Sequence, residues 1–239
     1  MKTLGWIALG GITIGVVTFA MGASISDGNR DLGWSHRLFK DGFRGDDCDG
    51  EAPNVTGSEG RIAWDGSSKV VIAVPAETRW RRGEGTEVVI SGDADDLANI
   101  RLHDGAVHVC GDIDDKIEIT LPGVDFREIT VAGAGELSME GIEQADLELT
   151  VAGAGKVEAD GRIDSLKLTI AGAGEARVGK LATKRLKLAI MGAGKAEAAP
   201  SDDADVTIMG AGNVDLVTRP ERHDFDIMGA GKVNMPDSI

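Results

Sequence analysis

The tripeptide Gly-Ala-Gly occurs six times in the C-terminal half of the chain, beginning at Gly133, Gly153, Gly172, Gly192, Gly210 and Gly229, at spacings of 20, 19, 20, 18 and 19 residues. A period this short excludes stacked helix pairs, which need about 33 residues or more per repeat. Each unit instead carries an extended apolar pattern, so each turn of chain is one rung of a solenoid. The fold class expected is all-β: a right-handed parallel β-helix (solenoid) with rungs of about 19 residues over residues 128–235, right-handed because parallel crossovers are.

Aligned on the first Gly, the copies separate into inward and outward positions. Four residues before it stand Ile129, Leu149, Leu168, Leu188, Val206 and Phe225; two before it stand Val131, Val151, Ile170, Ile190, Ile208 and Ile227. The pattern resumes beyond the motif with Leu137, Val157, Ala176, Ala196, Val214 and Val233. A period of two is the strand period, so these residues share one face and their neighbours the other. Just after the motif come Glu136, Lys156, Glu175, Lys195, Asn213 and Lys232, and two positions on, Glu158, Arg177 and Glu197 again alternate in sign. Equivalent residues of adjacent parallel rungs lie about 4.8 Å apart, so alternating signs attract and predict stacking in register.

The Gly residues are expected at bends, where a Cβ would strike the next rung or the required dihedrals exclude it. A phosphate cradle does not fit, because Ser138, Glu158, Arg177, Glu197, Asp215 and Asn234 occupy the third Gly position of Gly-x-Gly-x-x-Gly. Beside the bend, Ala132, Ala152, Ala171, Met191, Met209 and Met228 admit two placements. Strict alternation puts them outside with Thr130, Thr150, Thr169 and Thr207, as a stripe low in charge able to bind a partner or another copy. A corner at the Gly pair turns them into the core instead, and the suitability of Met for irregular gaps favours that placement.

Upstream, residues 61–127 carry short alternating apolar runs, including 69–74, 86–90, 99–102, 106–109 and 116–121, and form a strand-rich N-terminal part. Residues 24–60 are rich in Gly and Asp and are expected to be a flexible acidic linker, with Trp34, Phe39 and Phe43 marking a short helical turn. Residues 1–23 place Met1 and Lys2 before an almost uncharged stretch, which is a signal peptide cleaved near Ala20 and Gly22 or an uncleaved membrane anchor. Cys48 and Cys110 would then sit in an oxidising compartment, either paired or as separate thiols.

Composition narrows the chemistry. A net charge of -15 argues against a nucleic-acid partner. Aromatics are only 4% of residues and Tyr is absent, so little is available to stack on sugar rings. Acids in the repeats alternate with Lys, the repeats hold one His, His223, and no Gly-x-Ser-x-Gly is present. Asp46, Asp47, Asp49 and Glu51 cluster around Cys48, and Asp27, Asn29 and Asp31 have the spacing of part of a calcium loop, but Leu32 and Leu38 stand where that loop needs Gly and Glu. No catalytic, cofactor-binding or metal-binding residues are expected, and the chain is not expected to be an enzyme.

Four segments together resemble the putative auto-transporter adhesin head family, the GIN-domain family of bacterial envelope proteins. They are Lys69-Val-Val-Ile-Ala-Val-Pro75, Glu87-Val-Val-Ile-Ser-Gly92, Ile117-Glu-Ile-Thr-Leu-Pro122 and Ile129-Thr-Val-Ala-Gly-Ala-Gly135, the last leading into the repeats. The resemblance spans residues 61–233 and implies a strand-rich part joined to Gly-x-Gly rungs of a right-handed β-helix, with no catalytic residues. It implies an exported envelope protein, periplasmic, membrane-anchored or at the cell surface, that is a structural or adhesin-like module binding an envelope protein or polysaccharide. Membrane contact is expected only through an uncleaved N-terminal segment. Two other functions stay open: a carbohydrate-active enzyme, if outward carboxylates converge in a groove, and a self-associating envelope scaffold.

Overall fold

Alternation of apolar and polar residues over short segments turns most of the described residues into strands, and the spacing of the Gly pairs winds them into one stack. The computed structural model describes residues 48–83 and 85–237. The export segment, residues 24–47 of the linker, the Asp27 to Asp31 pattern and the Trp34 to Phe43 cluster lie outside the described residues.

The stack is a parallel β-solenoid of about five turns. Its repeating part comprises β9 (Glu128–Gly133), β10 (Glu136–Gly153), β11 (Lys156–Gly172), β12 (Glu175–Gly192), β13 (Lys195–Gly210), β14 (Asn213–Leu216), β15 (Arg222–Gly229) and β16 (Lys232–Asn234). The register is the one the repeat predicts: Glu136 pairs with Lys156, Lys156 with Glu175, Glu175 with Lys195, Lys195 with Asn213 and Asn213 with Lys232. Ile129, Leu149, Leu168, Leu188 and Val206 form one buried ladder and Leu137, Val157, Ala176, Ala196 and Val214 the facing one.

The motif makes the first corner of each turn without interrupting the ladder. Its first Gly carbonyl accepts a hydrogen bond from the Ala N–H of the next rung, as Gly153 does from Ala173 at 2.8 Å, while its last accepts from the residue after the next motif, as Gly135 does from Lys156 at 3.0 Å. A second corner follows where the pairing slips, between Met139 and Ile142 in one rung and between Val178 and Ala182 in another.

The N-terminal part extends the same stack, out of chain order. Strand β3 (Lys69–Ala73) lies between β9 and β7 (Ala106–Val109), parallel to both. Strand β4 (Ala76–Arg81) lies between β10 and β8 (Ile117–Thr120), again parallel. Val74-Pro75-Ala76 thus stands where the Gly-Ala-Gly corner would be, and a Cβ on Gly135 would lie 2.8 Å from the Val74 carbonyl oxygen. Beyond β8 the direction reverses into an antiparallel cap of β5 (Glu87–Ser91), β2 (Glu59–Ala63) and β1 (Asn54–Thr56). Beyond β7, β6 (Ile100–His103) also pairs antiparallel, and the short helix α1 (Ala94–Leu97) buries Leu97 beneath the cap. Residues 54–60, assigned to the linker by their composition, are therefore β1, its turn and the start of β2.

Large rings sit at this end. Trp80 and Phe126 are fully buried, the Trp80 indole N–H donates to the Val124 carbonyl at 3.0 Å, and Trp64 meets Phe126 edge-on with centroids 5.4 Å apart. The cap is tied by a disulfide between Cys48 and Cys110, Cα atoms 5.6 Å apart, and by backbone hydrogen bonds between Glu51 and Leu102.

Candidate binding surfaces

In β9 and its successors the inward Ile129 and Val131 positions leave Thr130 and Ala132 facing out, and in-register stacking turns these into two outward ladders. One runs Thr130, Thr150, Thr169, Ala189, Thr207, Asp226 and the other Ala132, Ala152, Ala171, Met191, Met209, Met228. The inward turn favoured for Ala and Met does not occur. The chain does bend at the Gly pair, but only after alternation has set these side chains outside the core ladders; within the stripe Ala171 is buried, Met191 and Met209 are half-buried and Met228 is 52% exposed. The motif Ala residues beside them, Ala154 and Ala193 among them, are exposed.

The stripe continues onto the out-of-order strands, where Val71 pairs with Thr130 on one side and with Ala106 on the other. Ala106 and Val71 are themselves buried, so the open stripe runs from Thr130 to Asp226 across six strands, roughly 24 Å at the usual strand spacing. The next outward position carries charge, and there adjacent rungs neutralise one another: Lys69 meets Glu128 at 2.8 Å and Lys167 meets Glu148 at 2.7 Å.

Past the corner, the outward face is polar and concave. Ser138, Glu140, Glu158, Asp160, Arg177, Lys180 and Glu197 line a groove of about 450 Å³. Four carboxylates from three rungs, Glu140, Glu158, Asp160 and Glu197, share this groove, the arrangement that would favour an enzyme. Their partners argue otherwise. Glu158 binds Lys156 at 2.9 Å and Arg177 at 3.0 Å, Glu140 accepts from Arg81 Nε at 3.0 Å, and Asp160 accepts the Gly141 N–H at 2.8 Å. Hydrogen bonds from Lys156 and then Arg177 hold the Glu158 carboxyl below its ordinary range, whereas a glycosidic acid must be shifted upward.

These contacts also refine the expected charge ladder. Its register is as read from the sequence, yet Lys156 pairs with Glu158 and Glu175 with Arg177 at 3.0 Å inside their own strands, and Arg177 to Glu158 is a cross-rung link. A lysine or arginine reaches two residues along a strand as easily as one rung across.

Of the acidic cluster around Cys48, Glu51 uses its backbone to bridge Leu102, and among the described residues no group of three or more His, Cys, Asp or Glu is placed to hold a metal ion. His223 lies in the last rung beside Phe225, ring centroids 5.1 Å apart. The sequence pattern did not single out His108, which is buried in β7.

Residues 96–220, more than half of the chain, match the family described as putative auto-transporter adhesin, head GIN domain. The fold is similar to the crystal structure of a putative adhesin from Bacteroides fragilis, with a TM-score of 0.59 and 17% identity over 77% of this chain and 99% of that one. It is also similar to a putative adhesin from Parabacteroides distasonis, with a TM-score of 0.50 and 14% identity over 77% of this chain and 99% of that one. No curated protein matches the chain.

Proposed function

This chain belongs to the family of putative auto-transporter adhesin head GIN domains, and on that premise we propose that it is a non-enzymatic envelope module that binds an envelope protein or polysaccharide along its Thr/Ala/Met stripe. The observation that carries the reading is the contrast between outward ladders. Neighbouring outward positions bear charges that pair across rungs or along a strand, while the open stripe carries no charge from Thr130 to Thr207 and is flat because most of its side chains are small. Contiguous weakly polar surface of this extent marks a contact face. The disulfide fits an exported protein.

Binding of the purified protein to an envelope fraction tests this. Met191→Glu with Met209→Glu places two charges on the stripe and reduces binding at least about tenfold, while Glu140→Gln in the groove leaves it unchanged. Retained binding by the double variant removes the stripe from the reading. The second reading, a carbohydrate-active enzyme, rests on the four groove carboxylates. Turnover of an envelope glycan that Glu140→Gln abolishes would establish that reading and overturn ours.

A further inference from the structure

The two ends of the solenoid differ. At the N-terminal end, antiparallel β1, β2, β5 and β6, helix α1 and the disulfide close the stack. At the other end, β15 pairs with β13 and β16 with β14, and among the described residues no strand lies beyond them. The core ladders lose their cover there. Ile170, Ile190 and Ile208 are fully buried, but Ile227, next in that ladder, is 40% exposed. Phe225, Val233 and Met235 are only partly buried, although Val206, Val214 and Leu216 beneath them are buried. Apolar side chains from both walls therefore meet solvent on one end face, flanked by two open strand edges, an arrangement solenoids normally cap.

We infer that this end face is a homodimer interface, in which two copies meet tail to tail about a twofold axis and each last rung covers the other's core. A single added strand could pair with β15 or with β16 but not both. The occupant must present two edges across an apolar section of the same outline, and this chain's own last rung is such a surface. The capped N-terminal end is not, so head-to-tail growth is blocked and the assembly closes as a pair. Antiparallel pairing keeps inward side chains opposite inward ones. The last rung, residues 219–236, is 18 residues long, and its strand edges and inward side chains make the contact, at the small end of the roughly 20 to 30 residues per side of a stable interface. This inference does not depend on the stripe.

Sedimentation of the purified full chain in mild detergent, from about 0.1 to 50 µM, is the test. The expected result is a monomer to dimer equilibrium that Ile227→Asp weakens at least about 100-fold, because the charge would enter the joined core. Met228→Asp, the outward neighbour, changes it less than about threefold. Val233→Asp, on the other wall, reproduces the Ile227→Asp effect and stands in for it should that variant lose its strand circular dichroism. A monomer at every concentration overturns the inference. So does a dimer indifferent to both inward variants, which would place association in the N-terminal segment, or equal loss on Met228→Asp.

Discussion

At Gly172 the backbone has φ of +123° and an added Cβ would lie 2.5 Å from the Gly153 carbonyl oxygen, so both torsion and space exclude a side chain. Gly133 also has positive φ, +91°, but nothing lies within 4 Å of its Cβ position, because the rung beneath it turns through Val74-Pro75-Ala76 and not through another Gly. Equivalent glycines in the repeat are therefore unequal in energy. Gly133→Ala is expected to cost about 1–2 kcal/mol of torsional strain, and Gly172→Ala about 3 kcal/mol or more, since the carbonyl it strikes belongs to the hydrogen-bonded ladder. Urea melts of the two variants measure the difference; equal losses would mean the rungs can separate locally. The need for Gly was legible in the sequence from its recurrence at one phase of the rung. The exception was not, because it depends on a rung that is 50 or more residues away and carries no Gly.

The N-terminal strands show where pattern reading stops. Each run from 69 to 121 alternated as strands do, and each is a strand. Their partners were hidden because β3 and β4 are laid down before the strands that flank them, the chain then leaves to build β5, α1 and β6, returns as β7 and β8 beneath them, and only then climbs past them into β9. Alternation specifies which face of a strand is buried; it does not specify which edge a returning chain meets. The disulfide belongs to this excursion, joining residues 62 apart at the end of the stack. In the loop-entropy account, closing that many residues stabilises by up to about 4 kcal/mol. Cys110→Ser is thus expected to lower the melting temperature by several degrees, roughly 2–4 °C for each kcal/mol in a chain of this size. Amide exchange locates the effect: the Glu51 and Leu102 amides, paired at 2.8 and 3.0 Å, speed up, while those of Ile190 and Ile208 in the middle rungs do not. Uniform acceleration would instead mean that cap and rungs unfold as one unit.

For the molecule as a whole, the net charge of -15 is a burden that the stack distributes through pairing between rungs. Lys116, Lys184 and Arg222 hold the carboxyls of Glu77, Asp164 and Asp203 below their ordinary values. A carboxyl depressed in the folded state contributes stability above its unfolded pKa and loses it as pH falls through the folded one, so these groups matter only in strong acid. These pairs are exposed, so salt screens them. His108 acts in a different window. Burial, with only 8% of the residue exposed, lowers its pKa from 6.5, and His103 and Arg101 add to the shift against hydrogen bonds that the imidazole donates to the Ala106 and Asp49 backbone. Its folded pKa lies below its unfolded one, so stability is complete above pH 6.5 and falls as acid protonates the unfolded chain first. The slope can reach about 1.4 kcal/mol per pH unit. Carboxylates scarcely titrate between pH 6.5 and 5.5. The expected outcome is a melting temperature that drops over that interval in the native chain, at high as at low salt, and stays level in His108→Gln. A drop that persists in the variant would assign the loss to another group and remove His108 as its source.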